Sequence, residues 1–175
     1  MNGHIIIQKY ESPCGKLVLG SFGERLCMCD WTHSQKHEAN RRRLGRLLGT
    51  DFTEGTTSII ERAVSQLDEY FAGKRREFDL PLLFVGTEFQ KKVWETLLTI
   101  PYGQTVTYSE MARLIGISKA VRAVAAAIGA NAISVIVPCH RVTGSNGALT
   151  GYAGSLEAKR FLLELENQTC LISLF

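Results

Sequence analysis

The run ISVIVPCHRV, residues 133–142, constrains this chain more than any other stretch. A mostly apolar, β-branched segment reads as a buried strand. Pro138 removes a backbone donor and ends it, so Cys139, His140 and Arg141 are delivered at a loop. A thiol, an imidazole and a guanidinium at the end of a core element require a packed domain around them. The 175 residues suffice for one domain or two small ones with a real core.

Composition narrows the class. Hydrophobic residues make up 45% and charged residues 21%, an ordinary globular balance that argues against disorder. The net charge of +3 is a mild basic bias, compatible with a polyanionic partner. No apolar run approaches the roughly 18 residues of a membrane span. MNGHIIIQKY lacks the basic start of a signal peptide. Five cysteines at irregular spacing do not form a disulfide framework, so a reducing cytoplasm is the expected home.

HIIIQKY, KLVLGS and RLCMCDW are short β-rich runs between turn-like segments, and they predict a small antiparallel sheet. Alternation along RLCMCDW puts Cys27 and Cys29 on one face. SQKHEANRRRLGRLLG and SIIERAVSQLDEYFAG predict two helices, the second burying Ile59, Ile60, Ala63, Val64, Leu67 and Phe71. Arg41, Arg42, Arg43 and Arg46 read as a solvated face, or less simply as phosphate contacts. DLPLLFVG, residues 79–86, connects two halves.

The second half is more regular. Thr87 and Gln90 have capping-box spacing ahead of a helix that places Phe89, Val93, Trp94 and Leu97 on one face. Thr107 and Glu110 open another, which stops at Gly116. KAVRAVAAAIGAN and SLEAKRFLLELE supply two more, the last capped by Ser155. The TYSEMARLIG helix, its glycine turn and the next helix fit a helix-turn-helix, and they also fit a plain αα-hairpin in a core. In the second of this pair Val121, Val124 and Ile128 can face inward, leaving mostly alanine plus Lys119 and Arg122. A methyl-lined surface lets a nucleic-acid backbone approach but reads few base edges. DNA binding through it would carry little sequence preference.

A buried cysteine is usually a small hydrophobe, which suits Cys14, Cys27, Cys29 and Cys170. Cys139, with His140 and Arg141 beside it, has the surroundings that favour a thiolate. Lowering a thiol pKa by about two units raises the thiolate fraction roughly tenfold, yet it lowers nucleophilicity by nearly as much. Positioning and leaving-group activation must then supply most of the rate.

Taken together, TEFQKKVWETLLTIPYGQTVTYSEMA, RAV, NAISVIVPCHRV, GYAG and KRFLLELE resemble the O6-alkylguanine-DNA alkyltransferases, also called methylated-DNA–protein-cysteine methyltransferases. The resemblance runs from about residue 74 to 166 and is weaker before that, where SPCGKLVLGS is its best echo. It implies an α/β plus α fold. A small N-terminal ribonuclease-H-like α/β domain (1–80) would precede a C-terminal helical domain (87–175) with a winged-helix-like helix-turn-helix.

By the same resemblance, the chain would repair O6-alkylguanine in double-stranded DNA, and O4-alkylthymine beside it. The alkyl group would move once, irreversibly, onto Cys139. His140 would take the thiol proton through water and Glu166 would orient His140. Asn131 would be the hinge before the active-site strand. Tyr108 would press on a phosphate and donate to the guanine ring, and Arg122 would fill the duplex behind the everted base. Lys119, Ala123 and Ser145 join the DNA surface, approached through the minor groove. Val142, Tyr152, Ala153 and Gly154 would line the pocket.

No cofactor is expected, the chain should act as a monomer, and no metal is expected because Cys14, Cys27, Cys29 and His33 do not match the zinc ligands of some members. Three positions depart from the family pattern. Ala132 and Ser134 stand where proline is common, with a looser turn and altered handling of bulky analogues expected. Ser155 stands where glycine is common, which would narrow or reorder the pocket loop. A DNA-binding regulator using the helix pair, with Cys139 inert or only sensing damage, and a cysteine hydrolase built on Cys139, His140 and Glu166, are the rival readings of the residues.

Overall fold

Each N-terminal run is rich in apolar residues over the length of a strand, and each forms one. In the computed structural model, which describes residues 3–172, β1 (Ile5–Ser12), β2 (Gly15–Phe22) and β3 (Arg25–Trp31) are antiparallel neighbours. β4 (Phe52–Glu54) adds parallel to β1, giving the order β3-β2-β1-β4. α1 (His37–Leu48) covers one sheet face through Leu44. α2 (Ser58–Phe71) covers the other through Ile59, Ile60, Ala63, Leu67 and Tyr70. Val64 and Phe71 are only partly buried at the edge of that stripe.

Cys27 and Cys29 do not share a face as alternation predicts. The β2–β3 register slips between Gly20 and Ser21, and the extra residue reverses the alternation. Cys27 therefore packs beneath α1 and Cys29 in the main core. Cys170 lies outside the residues whose side chains are described.

The basic run on α1 is not wholly solvated either. Arg43 donates to the carbonyls of Val85 (3.0 Å) and Ala130 (2.8 Å) and stacks over the Trp94 ring. A guanidinium holds such planar, multi-donor positions well. Arg43 thus ties the N-terminal helix to the C-terminal half.

That half begins with α3 (Glu88–Leu97), whose Thr87/Gln90 capping box is present in full. Val93, Trp94 and Leu97 are buried, while Phe89 is left exposed. A two-residue strand β5 (Val106–Thr107) leads into α4 (Tyr108–Ile115), also opened by a complete capping box, Thr107/Glu110. Gly116 closes α4 in the left-handed conformation at φ 88°, where a side chain would be strained. α5 (Val121–Gly129) packs on both α3 and α4. β6 (Val142–Thr143) pairs with β5, and α6 (Leu156–Ile172) closes the molecule.

The ISVIV run is buried but is not a strand. It makes one bridge, Ile133 with Cys29 of β3, and then coils into tight turns. Val135 adopts φ 70°, a costly conformation for a β-branched residue, so the surrounding packing must impose it. The outer edge of β3 is covered at one end by residues 132–134 and at the other by the connector, through Leu26 N–H to Pro81 O and Leu83 N–H to Leu26 O. Among the described residues, no helix is long and apolar enough to cross a membrane.

Candidate active site

Asn131, just past the end of α5, organises the turn that carries the cysteine. Its Oδ1 accepts from Ile133 N–H at 2.9 Å. Its Nδ2 donates toward Ile133 O (3.3 Å), Val137 O (3.2 Å) and Cys139 Sγ (3.3 Å). One buried amide therefore satisfies three backbone groups of the turn, and it also touches the sulfur.

Cys139 is 7% exposed, within a short 3-10 turn, Cys139–Arg141. Burial pushes its thiol up, against the pull of the Asn131 amide and the Lys159 ammonium. The resting sulfur is a thiol, contrary to the thiolate-favouring neighbourhood expected from the sequence. Besides burial the reason is orientation: the basic side chains adjacent in sequence turn toward Glu166 instead. His140 Nε2–H donates to Glu166 Oε1 at 2.8 Å. Arg141 donates from Nε to Oε2 (3.0 Å) and from its terminal nitrogen to Oε1 (2.8 Å). Tyr70 O–H adds a bond to Oε1 at 2.8 Å and Gly103 N–H one to Oε2 at 3.3 Å.

Burial alone would raise the Glu166 carboxyl, but the donors from His140 and Arg141 outweigh it and bring it to about 2. An ionised carboxylate only accepts, so the His140 proton sits on Nε2. That leaves Nδ1 as a bare lone pair, with no hydrogen-bond partner among the described residues. Burial holds the imidazole below its usual pKa, so it is neutral at pH 7.

The sulfur borders a cavity of about 430 Å³, whose walls include Asn131, Tyr108, Ala125 and Ile128 of α5, and residues 151–155. That volume falls within the range of small-molecule sites. Of the expected pocket residues, Tyr152, Ala153 and Gly154 line it. Val142 does not. It is fully buried in β6, where pairing with Val106 fixes it, and its carbonyl accepts from Lys159 Nζ at 2.6 Å. Lys159 also holds Thr150 O at 3.0 Å, pinning both ends of the loop between Val142 and Thr150.

Sequence reasoning missed the N-terminal wall of the cavity. His33, Ser34, Gln35 and Lys36 follow β3 and line it. The Trp31 indole Nε1–H donates to the Tyr152 hydroxyl oxygen at 3.3 Å, and His33 bonds the Gly154 carbonyl. A Cβ on Gly154 would come within 2.5 Å of the Trp31 ring, which explains a glycine there. No periodicity announces these contacts, because they join segments about 120 residues apart. Among the described residues, no three His, Cys, Asp or Glu side chains are grouped to hold a metal.

On the outer side of α5, Arg122, Ala123 and Ala126 are exposed, as are Lys119 before the helix and Ser145 after β6. Val124, Ala127 and Ile128 face the core.

Two family models divide the chain between them. The ribonuclease-like domain of 6-O-methylguanine DNA methyltransferase matches residues 5–84, and the DNA-binding domain of the same enzyme matches 88–168. The chain belongs to the 6-O-methylguanine DNA methyltransferase family. Curated relatives named methylated-DNA–protein-cysteine methyltransferase include one from Mycobacterium leprae, 45% identical over 94% of this chain and 93% of its own length. Another, from Mycolicibacterium paratuberculosis, is 53% identical over 90% of each chain.

The crystal structure of Mycobacterium tuberculosis OGT in complex with DNA superposes with a TM-score of 0.81 at 41% identity, covering 94% of both chains. The small N-terminal α/β sheet domain and C-terminal helical domain expected from the sequence are therefore the family's fold. The Pyrococcus kodakaraensis enzyme, at 24% identity and a TM-score of 0.63, shares that fold.

Proposed function

We infer that this methyltransferase-family chain repairs DNA by moving the alkyl group of O6-alkylguanine, and of O4-alkylthymine beside it, onto Cys139. The reading rests on one observation above all. Cys139 is buried, and it borders a cavity walled by the same α5 whose outer face carries Arg122 and alanines. A base everted from a duplex lying on α5 would need such a short path to the sulfur.

The thiol proton passes through water to Nδ1 of His140, which Glu166 holds in the required tautomer. The Cys139 sulfur then attacks the alkyl carbon in line. A carbon–sulfur bond forms, the carbon–O6 bond breaks, and its electron pair leaves with the guanine. Charge on that leaving group is met by the Tyr108 hydroxyl and by backbone N–H groups near Ala153, and the proton that His140 accepted passes back through water to the departing base. Tyr108 O–H now points at the Thr150 and Gly151 carbonyls at 3.4 and 3.5 Å, bonds long enough to exchange for a substrate.

A thioether is not hydrolysed under mild conditions, so each chain turns over once and needs no cofactor. Arg122 fills the space left in the duplex, with Lys119, Ala123 and Ser145 against the backbone. The methyl-lined surface favours the minor groove with little sequence preference. Tyr152, Ala153 and Gly154 enclose the base, and Asn131 sets the turn. The chain works as a cytoplasmic monomer, with the N-terminal domain ending by residue 80 and the DNA-binding domain starting at 87.

The test is incubation with an O6-methylguanine duplex followed by peptide mass mapping. One methyl on the Cys139 peptide per chain is the expected result. Continuous product release would indicate a hydrolase, and binding without any mass change a regulator.

A further inference from the structure

We propose that the Ser134 hydroxyl is a second donor to the Cys139 sulfur, brought into use only when that sulfur loses its proton. The inference deepens the alkyl-transfer reading and rests on it for its biological purpose, though not for its test.

Ser134 is fully buried, and its Oγ has no hydrogen-bond partner among the described residues. An unpartnered hydroxyl in a core is a net cost to folding. The backbone around it is fully engaged: Ser134 N–H donates to Cys29 O at 2.7 Å, and Ile136 N–H donates to Ser134 O at 2.8 Å. The side chain is therefore held at its position inside the same turn that ends at Cys139. From there it joins Asn131 and Lys159 in opposing the effect of burial on the thiol.

A neutral thiol is a weak acceptor and a thiolate a strong one. Asn131 already spreads its two N–H groups over two carbonyls and the sulfur, which limits what it can give to a developing charge. A hydroxyl idle in the resting state and engaged in the charged one stabilises the reacting state selectively, the difference that lowers a barrier. No proton is transferred by Ser134; its O–H rotates onto the sulfur as the thiol proton departs toward His140.

The experiment compares the full-length chain with Ser134→Ala by following iodoacetamide alkylation of the Cys139 peptide by mass, across the thiol titration range. Loss of the donor should move the midpoint up by about one pH unit. The tenfold smaller thiolate fraction at neutral pH is partly offset by a more nucleophilic sulfur, so the variant should be about threefold slower there. Above the titration it should be about threefold faster. This crossing of the two profiles cannot come from looser packing, which would slow or quicken the reaction at every pH.

The variant should also melt no lower than the wild type, since it loses only an unpartnered hydroxyl. An unshifted midpoint, or a clear drop in Tm, overturns the proposal. Failure of the repair reading shows separately, as wild-type protein unmodified by lesion DNA while the iodoacetamide profiles still cross.

Discussion

His140 Nε2 lies 2.8 Å from Glu166 Oε1, and neither side chain has meaningful contact with solvent. Among the described residues, Glu166 is the only carboxylate bonded in this cluster, and it accepts from His140, Arg141, Tyr70 and the Gly103 amide together. Removing its charge strands the buried Arg141 guanidinium. We expect Glu166→Gln to lower unfolding stability by about 3–5 kcal/mol, the usual cost of breaking a buried pair. Urea unfolding measures it; a loss within the scatter of surface mutations would mean that the cluster is more open than its burial indicates. Methyl transfer should fall as well, because the His140 tautomer is no longer enforced.

The same cluster sets the acid limit of the protein. Glu166 titrates near 2 in the fold and higher when unfolded, so its contribution is complete above the unfolded value and disappears as pH falls toward 2. His140 is also held low, by burial, so the unfolded chain takes up a proton first as pH drops through the ordinary histidine range. Both act in one direction. Stability should start to fall below about pH 6.5 and fall more steeply below about pH 4.3. Urea midpoints measured against pH check this, and a flat profile down to pH 4 would contradict the burial of His140.

Much of this fold was legible because it is local. The two capping boxes, the Gly116 stop and the apolar stripe of α2 follow from spacing within a turn or two of helix. The errors came where a distant partner decides. Cys27 and Cys29 part company through a bulge set by β2, and Arg43 is claimed by carbonyls 42 and 87 residues away. ISVIV has strand composition, yet the Asn131 amide and short-range turn bonds together take the place of a ladder. The proximity of His140 and Arg141 to Cys139 in sequence misled about charge, since a 3-10 turn points successive side chains in different directions.

Arg122 stands exposed near the start of α5 with alanines around it. If it fills the duplex behind an everted base, Arg122→Ala should lose methyl transfer from duplex DNA by tenfold or more, at roughly 1.4 kcal/mol per tenfold. Transfer from free O6-benzylguanine, which needs no eversion, should stay near wild type. Single-turnover rates on the two substrates separate these effects. Equal rates on duplex for both proteins would remove Arg122 from the mechanism.

Gly154 and Trp31 test whether the N-terminal domain shapes the pocket. A methyl at Gly154 would meet three atoms of the Trp31 indole at 2.5–2.8 Å, and that ring is fully buried. Neither partner can retreat cheaply. Gly154→Ala should destabilise by about 1–3 kcal/mol, as overpacking does, and should slow transfer. Adding Trp31→Leu should recover part of the transfer rate by clearing the methyl. A double variant slower than Gly154→Ala alone would show that the indole, through its bond to Tyr152, matters more than the clash.

Ser155 is the last case, and here the chain carries a conformation that suits another residue. Its φ is 136°, a region where side chains are strained, yet its Oγ accepts from Ala158 N–H at 3.0 Å and caps α6. The two effects oppose each other. Strain of this kind costs about 1–3 kcal/mol, while replacing a serine cap by glycine loses only a few tenths. Ser155→Gly should therefore stabilise the protein by about 1 kcal/mol, a rise of roughly 2–4 °C in Tm for a chain of this size. Because Ser155 also borders the cavity, the glycine should admit bulkier O6 substituents, measured as the ratio of benzyl to methyl transfer rates. A lower Tm would mean that the cap outweighs the strain and that serine is the better residue in this loop.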